Sequence, residues 1–146
     1  MTTTGEQSFD RTVQKTQMWL EDLACELGWK DRHRVYRVLR VTLHLLRDRL
    51  PLNEAVQFGA QLPMLVRGLY YEGWRPSDTP NKSLGRQEFL TAVEEALADE
   101  RDVNAERVCR AVFRVLEKHI SRGESQDIAG VLPKGLRALW TEAVAG

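Results

Sequence analysis

The chain has 146 residues, and its 21 basic and 21 acidic side chains cancel to a formal net charge of zero. A chain of this length suits one domain that buries roughly 68–70% of the surface its unfolded form exposes, so it needs no disulfide or metal to fold. The cancelled charge excludes an overall positive field of the kind that drives non-specific binding to nucleic acid or anionic membranes, and no apolar run is long enough to predict a membrane-spanning helix.

Apolar residues recur every three or four positions along most of the chain, a spacing typical of helices, and strand-like alternation is absent. We expect residues 1–8 to form a disordered tail. In the first half, helices are predicted over residues 9–27, 32–50, 52–61 and 63–74. Gly28 can close the first helix in a left-handed conformation, and Asp31 can cap the start of the second.

Residues 75–83, RPSDTPNKS, contain two prolines and several small polar residues. These oppose the continuation of either neighbouring helix, so we expect an extended linker. In the second half, helices are predicted over residues 84–98, 103–120, 122–131 and 133–144. Ser121 and Glu124 have the spacing of a capping box, in which the hydroxyl and the carboxylate each accept a hydrogen bond from a free amide at the helix start.

A leucine followed by a proline precedes the last helix of each half, at Leu62-Pro63 and Leu132-Pro133. Proline suits the first turn of a helix, where the missing amide hydrogen costs nothing, and it pushes the preceding residue toward an extended conformation. Both sites therefore predict a corner between a third and a fourth helix.

An offset of 70 residues aligns residues 18–70 with residues 88–140 without a gap, with identity at eleven of the 53 positions. The identical pairs are Leu20/Leu90, Leu27/Leu97, Arg37/Arg107, Val38/Val108, Arg40/Arg110, Leu46/Leu116, Glu54/Glu124, Leu62/Leu132, Pro63/Pro133, Arg67/Arg137 and Leu69/Leu139. We therefore predict an all-α domain built by tandem duplication of a four-helix unit, with about eight helices in all. Unit 1 spans residues 9–74 and unit 2 spans residues 84–146, and the two pack as one compact domain.

The phrases HLLRDRLPLNEAVQFGAQ and LPMLVRGLYYEGW in unit 1, with the shorter LPKGLRALW in unit 2, resemble an uncharacterised bacterial helical family, the domain-of-unknown-function family numbered 2267. The resemblance covers nearly the whole chain, from Phe9 to Glu142. It implies an all-helical duplicated domain and carries over no catalytic residues. Members of the family are similar to accessory or stress-related bacterial proteins, which favours an interaction role.

The sequence contains no familiar catalytic or cofactor-binding motif. Its histidines, His33, His44 and His119, lie far apart, and it has no Cys-x-x-Cys pair and no glycine-rich phosphate loop. Neither Cys25 nor Cys109 resembles an activated nucleophile, and the acidic clusters are typical of solvated helix faces. We predict no metal, no cofactor and no enzymatic activity.

Basic residues recur on the second helix of each unit, in a sector opposite its apolar stripe. These residues are Arg37, Arg40, His44 and Arg47 in unit 1, and Arg107, Arg110 and Arg114 in unit 2. Two such stripes brought together could bind phosphate, nucleic acid or an acidic partner. Acidic neighbours on the same faces favour the alternative, in which the arginines form exposed ion pairs worth about 0–1 kcal/mol each.

Aromatic residues gather late in the fourth helices, at Tyr70, Tyr71, Trp74 and Trp140. We expect most of them to pack between the units. The alternatives are a contact with a partner protein or a second copy, and a small apolar ligand pocket.

The preferred function is a non-catalytic protein-interaction or adaptor module that binds a protein partner or forms a homodimer. Binding of an anionic ligand or nucleic acid through the arginine stripes is the less favoured alternative. The two cysteines, and an opening segment MTTTGEQSFDR with neither a basic nor an apolar region, predict a reducing, cytoplasmic setting without membrane association.

Overall fold

The computed structural model describes residues 4–145 of the chain. Within that range the α-helices are α1 Thr4–Leu27, α2 Arg32–Arg49, α3 Leu52–Ala60, α4 Met64–Tyr71, α5 Arg86–Ala96, α6 Ala105–His119, α7 Arg122–Val131 and α8 Lys134–Ala145. No strand occurs among the described residues, so the predicted all-α class is confirmed. Helices α1–α4 belong to unit 1 and helices α5–α8 to unit 2.

The first helix begins earlier than the sequence predicts. Residues 4–8 lie in α1, where a disordered tail was expected, and residues 1–3 lie outside the described residues. No proline interrupts this stretch, and Glu6 lies in the first turn, where a negative charge interacts favourably with the helix dipole. The helix therefore extends well beyond the part that packs on the core.

The linker is also more structured than an extended segment. Pro76–Asp78 form one turn of 3-10 helix. Trp74 Nε1 donates to Thr79 Oγ1 at 2.9 Å, and the Asn81 amide donates to the Asp48 carbonyl oxygen at 2.6 Å. These contacts hold the linker against unit 1.

The predicted signals at the end of α1 and the start of α2 are confirmed. Gly28 has a φ of +70°, and the Trp29 amide donates to the Ala24 carbonyl oxygen at 3.1 Å, as in a Schellman motif. At the start of α2, Asp31 Oδ1 accepts a hydrogen bond from the His33 amide at 3.0 Å. Both ends of this connection are thus fixed by local chemistry.

The capping box at the start of α7 is only half formed. Ser121 Oγ accepts from the Glu124 amide at 3.1 Å, as predicted. The Ser121 amide, however, donates to Oε1 of Gln61 from unit 1 at 3.0 Å. Because Gln61 takes this amide, the Glu124 carboxyl is released from the cap, and its side chain is buried instead.

The predicted corners are confirmed in both units. α3 and α4 are separate helices with Leu62 between them, and α7 and α8 are separated at Leu132. Pro63 lies at the cap position immediately before α4, with φ −59° and ψ 154°. The proline thus sets the direction in which the last helix leaves the corner.

The two units contact each other reciprocally. Helix α1 packs on α6, and the equivalent helix α5 packs on α2. The equivalent helices also meet directly, α2 with α6 and α3 with α7. Within each unit, the fourth helix packs on the other three. This reciprocal pattern supports the predicted duplication.

One hydrophobic core runs through both units and includes residues aligned by the 70-residue offset. Leu46 and Leu116 are both completely buried, and Leu39 and Cys109 are likewise buried. Burial raises the pKa of the Cys109 thiol to about 12, so the thiol packs as a small apolar group. Equivalent positions therefore contribute equivalently to the core.

We predict that Leu46→Ala and Leu116→Ala each lower the free energy of unfolding by about 2–5 kcal/mol, because each opens a cavity in a close-packed core. Urea denaturation measures the loss. Leu52→Ala is the matched control: its side chain is 45% exposed, so its loss should stay within about 0.5 kcal/mol. Losses below about 1 kcal/mol at either core leucine would contradict the packing described above.

Candidate functional site

Arg37 and Arg107, at equivalent positions of α2 and α6, each reach the carboxyl end of a helix in the other unit. Arg107 Nη2 donates to the Leu27 carbonyl oxygen at the end of α1, at 2.6 Å. Arg37 Nη2 donates to the Ala96 carbonyl oxygen at the end of α5, at 3.2 Å, and its Nη1 pairs with Glu100 at 2.7 Å. Carbonyls at a helix end lack intrahelical donors, so these arginines cap helices across the contact between the units.

Arg40 and Arg110 form a second equivalent pair of contacts. Arg40 Nη2 lies 2.6 Å from Glu72 Oε1, and Arg110 Nη2 lies 2.8 Å from Glu142 Oε2. Their side chains are 42% and 32% exposed. The hydrogen bond from Arg40 holds the pKa of Glu72 below its ordinary value. These contacts are the partly exposed ion pairs that the alternative reading of the stripe predicted.

The other basic residues of the stripe donate to backbone carbonyls near the ends of the fourth helices. The acceptors are Tyr70 and Glu72 for Arg47, Leu69 for His44, and Ala143 for Arg114. Burial, the largest cause, lowers the pKa of His44, so its ring is neutral at neutral pH. Each of the seven basic residues thus has a partner within the chain.

Tyr70 and Trp140 lie at equivalent, buried places and anchor equivalent helices. Tyr70 Oη donates to the Ala55 carbonyl oxygen at 2.7 Å, and Trp140 Nε1 donates to Ser125 Oγ at 3.3 Å. Ala55 and Ser125 are themselves 70 residues apart. Burial raises the pKa of the Tyr70 phenol. Each aromatic residue therefore joins the third and fourth helices of its own unit.

Tyr71 and Trp74 are partly buried beside Tyr70. The Tyr71 and Trp74 rings lie 5.4 Å apart, and the Tyr71 hydroxyl packs so closely on Gly59 that a Cβ there would overlap it. The ring contacts of the four aromatic residues lie within single units, and the Trp74 indole donates to Thr79 in the linker. The expectation that most of them pack between the units is therefore wrong. The reason is that the units meet mainly through their first three helices.

The roles of Arg67 and Arg137 were not predicted from the sequence. Arg67 donates to three carbonyl oxygens at the end of α3, and Arg137 makes the same three contacts at the end of α7. The acceptors are Gly59, Ala60 and Leu62 at 2.8, 3.2 and 2.8 Å, and Ala129, Gly130 and Leu132 at 2.8, 3.1 and 3.2 Å. The available signal was an arginine four residues after each corner proline.

A groove of about 620 Å³ lies between the amino-terminal half of α1 and the corner from α3 to α4. Its apolar lining includes Met18, Trp19, Leu62, Pro63 and Met64. Its basic lining residues are Arg11, Lys15, Arg67 and His119. Within the part of the chain that the structure describes, no aspartate or glutamate lines it. The buried Trp19 and Leu62 form the apolar base of the groove, and the exposed Arg11 and Lys15 lie at its rim.

Contacts from α1 and α6 fix the walls of this groove. Thr12 Oγ1 accepts from the Leu65 amide at 3.1 Å and ties α1 to α4. His119 Nε2 lies 2.7 Å from Asp22 Oδ2, and its ring stacks on Trp19 with the centroids 4.8 Å apart. These contacts fix α1 against α4 and Trp19 against His119, while the exposed Met18 and Met64 add flexible side chains to the apolar lining.

Unit 2 does not reproduce this groove. Under the 70-residue offset, residues 8–15 correspond to residues 78–85, which lie before α5. Met64 corresponds to Lys134, and Leu65 to Gly135, against which the Arg86 side chain packs. The groove is therefore formed mainly by unit 1, and unit 2 contributes His119 to its lining.

Two glutamates at equivalent positions meet where α3 contacts α7. Glu54 and Glu124 are 9% and 7% exposed, and neither Oε2 atom has a hydrogen-bond partner in the described structure. Oxygen atoms of Glu54, Glu124 and the exposed Asp127 all lie within 4.8 Å of one another. Burial is the largest cause that raises the pKa of Glu124 from 4.5 to about 8, followed by a side-chain hydrogen bond with Glu54 and by the charges of Glu54 and Asp127.

The architecture defines an all-α protein whose two halves pack in a matched, reciprocal way. Residues 16–139 match the family model described as "Uncharacterized conserved protein (DUF2267)". The chain belongs to this family, as its resemblance indicated. No curated protein shows significant similarity to it. Among the described helices, none combines the length and apolar character needed to cross a membrane.

We predict that Arg67→Gln and Arg137→Gln each lower the free energy of unfolding by about 1–3 kcal/mol, because each leaves helix-end carbonyls without a charged donor. Urea denaturation again gives the measurement. Arg101→Gln removes an exposed arginine and should change the free energy of unfolding by less than about 0.5 kcal/mol. Equal, small losses in all three variants would show that the carbonyl contacts do not stabilise the corners.

The glutamate pair predicts an unusual pH dependence in metal-free buffer. Between about pH 4.5 and 8 the folded chain retains a proton at this pair that the unfolded chain releases, so the free energy of unfolding should fall as pH rises through this range. Glu124→Gln cannot titrate there. Its free energy of unfolding relative to wild type should rise by about 2–4 kcal/mol from pH 5 to 8.5, by urea denaturation at each pH. Parallel curves for the two proteins would contradict the raised pKa.

Proposed function

We propose that the protein is a non-catalytic interaction module that binds an acidic, amphipathic helical segment of a partner protein. The observation that carries this proposal is the groove beside α1, with its apolar base and its rim of basic side chains. Apolar side chains of the partner would enter the groove, and carboxylates on the same helix would pair with the rim. We assign the module to the cytoplasm, a setting in which its two free cysteines remain reduced.

Exposed apolar residues in the groove support a protein ligand. Met18 and Met64, which line it, are 57% and 53% exposed. Methionine side chains are flexible and polarizable, which suits them to contact with a peptide. A surface of this kind marks a binding site more often than isolated exposed leucines do.

The charge of the rim favours an acidic ligand. Arg11 and Lys15 lie one helical turn apart on the exposed face of α1, and neither forms an ion pair within the described part of the chain. The arginine stripes of α2 and α6 offer less, since their donors already contact carboxylates and carbonyls of the chain. Acidic recognition therefore has more support at the groove than at the stripes.

The surroundings of Cys109, His44 and His119 support a role without catalysis. Burial leaves the Cys109 thiol protonated at neutral pH. The His44 ring contacts a backbone carbonyl, and the His119 ring is held between Asp22 and Trp19. These side chains have structural partners that account for their positions.

The proposal predicts binding of a fluorescein-labelled 16-residue helical peptide with leucines at helical spacing and glutamates along their flanks. Fluorescence anisotropy should give saturable binding in the micromolar range. The affinity should fall several-fold as salt rises from 50 to 300 mM, because screening weakens the contacts with Arg11 and Lys15. The same peptide with lysine flanks should bind at least tenfold more weakly.

Met64→Asp should reduce this affinity at least tenfold by placing a charge in the apolar base. Leu52→Asp is the matched control, because Met64 and Leu52 are each the exposed first residue of a short helix, where aspartate is compatible with folding. It should bind like wild type. The proposal is wrong if Met64→Asp binds the acidic peptide as tightly as wild type does. It is also wrong if wild type binds neither the acidic nor the lysine-flanked peptide. Saturable binding of small aromatic anions alone would reassign the groove to a small ligand.

A further inference from the structure

The contact between α3 and α7 holds an arrangement of oxygens that the interaction role does not use. Glu54 and Glu124 lie on these two helices at positions related by the 70-residue offset, so the same side chain approaches the contact from both units. Both are more than nine-tenths buried, and the Oε2 atom of each has no hydrogen-bond donor among the described residues. A buried carboxylate oxygen left in this state is costly.

The three carboxyl groups at this contact carry charges of the same sign when ionised. Asp127, one helical turn after Glu124, adds a third carboxylate, with its oxygen within 4.8 Å of both glutamates. The charges that act on Glu124 most strongly are those of Glu54 and Asp127, both negative. Among the described residues, neither glutamate forms an ion pair with a lysine or arginine. A bound positive ion would satisfy the unpartnered oxygens and remove the repulsion between them.

The donor atoms select the class of ion. Carboxylate oxygens favour hard cations such as Ca²⁺ and Mg²⁺ over the softer metals that prefer sulfur or imidazole. Ca²⁺ accepts oxygen ligands in flexible geometry at about 2.3–2.6 Å, whereas Mg²⁺ demands near-ideal octahedral geometry at about 2.0–2.1 Å. Because the three oxygens come from two helices and all lie within 4.8 Å of one another, the larger and more adaptable ion suits the site better.

We propose that Glu54, Glu124 and Asp127 bind one calcium-sized divalent cation between α3 and α7. Asp127 is exposed, so the site opens to solvent, and water completes the coordination shell. Gln57 occupies the position on α3 that Asp127 occupies on α7, and its amide oxygen is also a ligand type that Ca²⁺ accepts. Binding joins the two units through one ion at a contact where their equivalent helices meet.

Isothermal titration of CaCl₂ into chelator-treated protein at pH 8.5 and 100 mM NaCl tests this site. We expect one Ca²⁺ per chain with a dissociation constant of roughly 0.1–1 mM, as for sites with few protein ligands. At 10 mM CaCl₂ the midpoint of thermal unfolding should rise by about 5 °C relative to NaCl of equal ionic strength. MgCl₂ should bind at least tenfold more weakly.

Two variants each remove one carboxylate ligand, one at a buried position and one at an exposed position. Glu124→Gln removes a buried carboxylate, and Asp127→Asn replaces an exposed one. Each should weaken Ca²⁺ binding at least tenfold, while Glu94→Gln, which changes an exposed carboxylate on α5, should bind like wild type. The site is overturned if wild type gives no saturable heat, if NaCl reproduces the thermal shift, or if Asp127→Asn binds Ca²⁺ normally.

Discussion

The carboxyl ends of short helices impose the main constraint on this molecule. Each such end leaves up to four carbonyl groups without an intrahelical donor, and a small domain of many helices has many of these ends near its core. Arginine side chains supply many of the hydrogen-bond donors that these carbonyl groups lack. Arg67 and Arg137 do so within each unit, at the corners before the fourth helices, whereas Arg37 and Arg107 do so across the contact between units. The matched arginines are thus part of the architecture.

Local sequence signals predicted the features that depend on local physics. The helical class follows from the spacing of apolar residues, and the breaks at Leu62 and Leu132 follow from the prolines after them. Gly28 and Asp31 act as predicted because a left-handed terminus and an amide cap involve only neighbouring residues. These features can be predicted without knowing which helices pack against them.

The functions of the charged residues could not be predicted in the same way. Helical periodicity assigns Arg37 and Arg107 to a face but does not say that the end of another helix lies there. Glu124 shows the same limit: its position after Ser121 fits a cap, yet Gln61 from the other unit takes that amide. The groove beside α1 was also missed, because Arg11, Lys15 and the corner at Pro63 are distant in sequence and are joined only by the packing of α1 on α4.

The exchange of caps between units bears on how the chain acquires its structure. The end of α1 is completed by Arg107 of unit 2, and the end of α5 by Arg37 of unit 1. Either unit alone would present a helix end whose carbonyls have lost their guanidinium partner, together with the apolar surface that the other unit covers. The smallest cooperative element is therefore the pair of units, and loss of order in one half removes support from the other. Each four-helix unit therefore depends on the other for part of its stability.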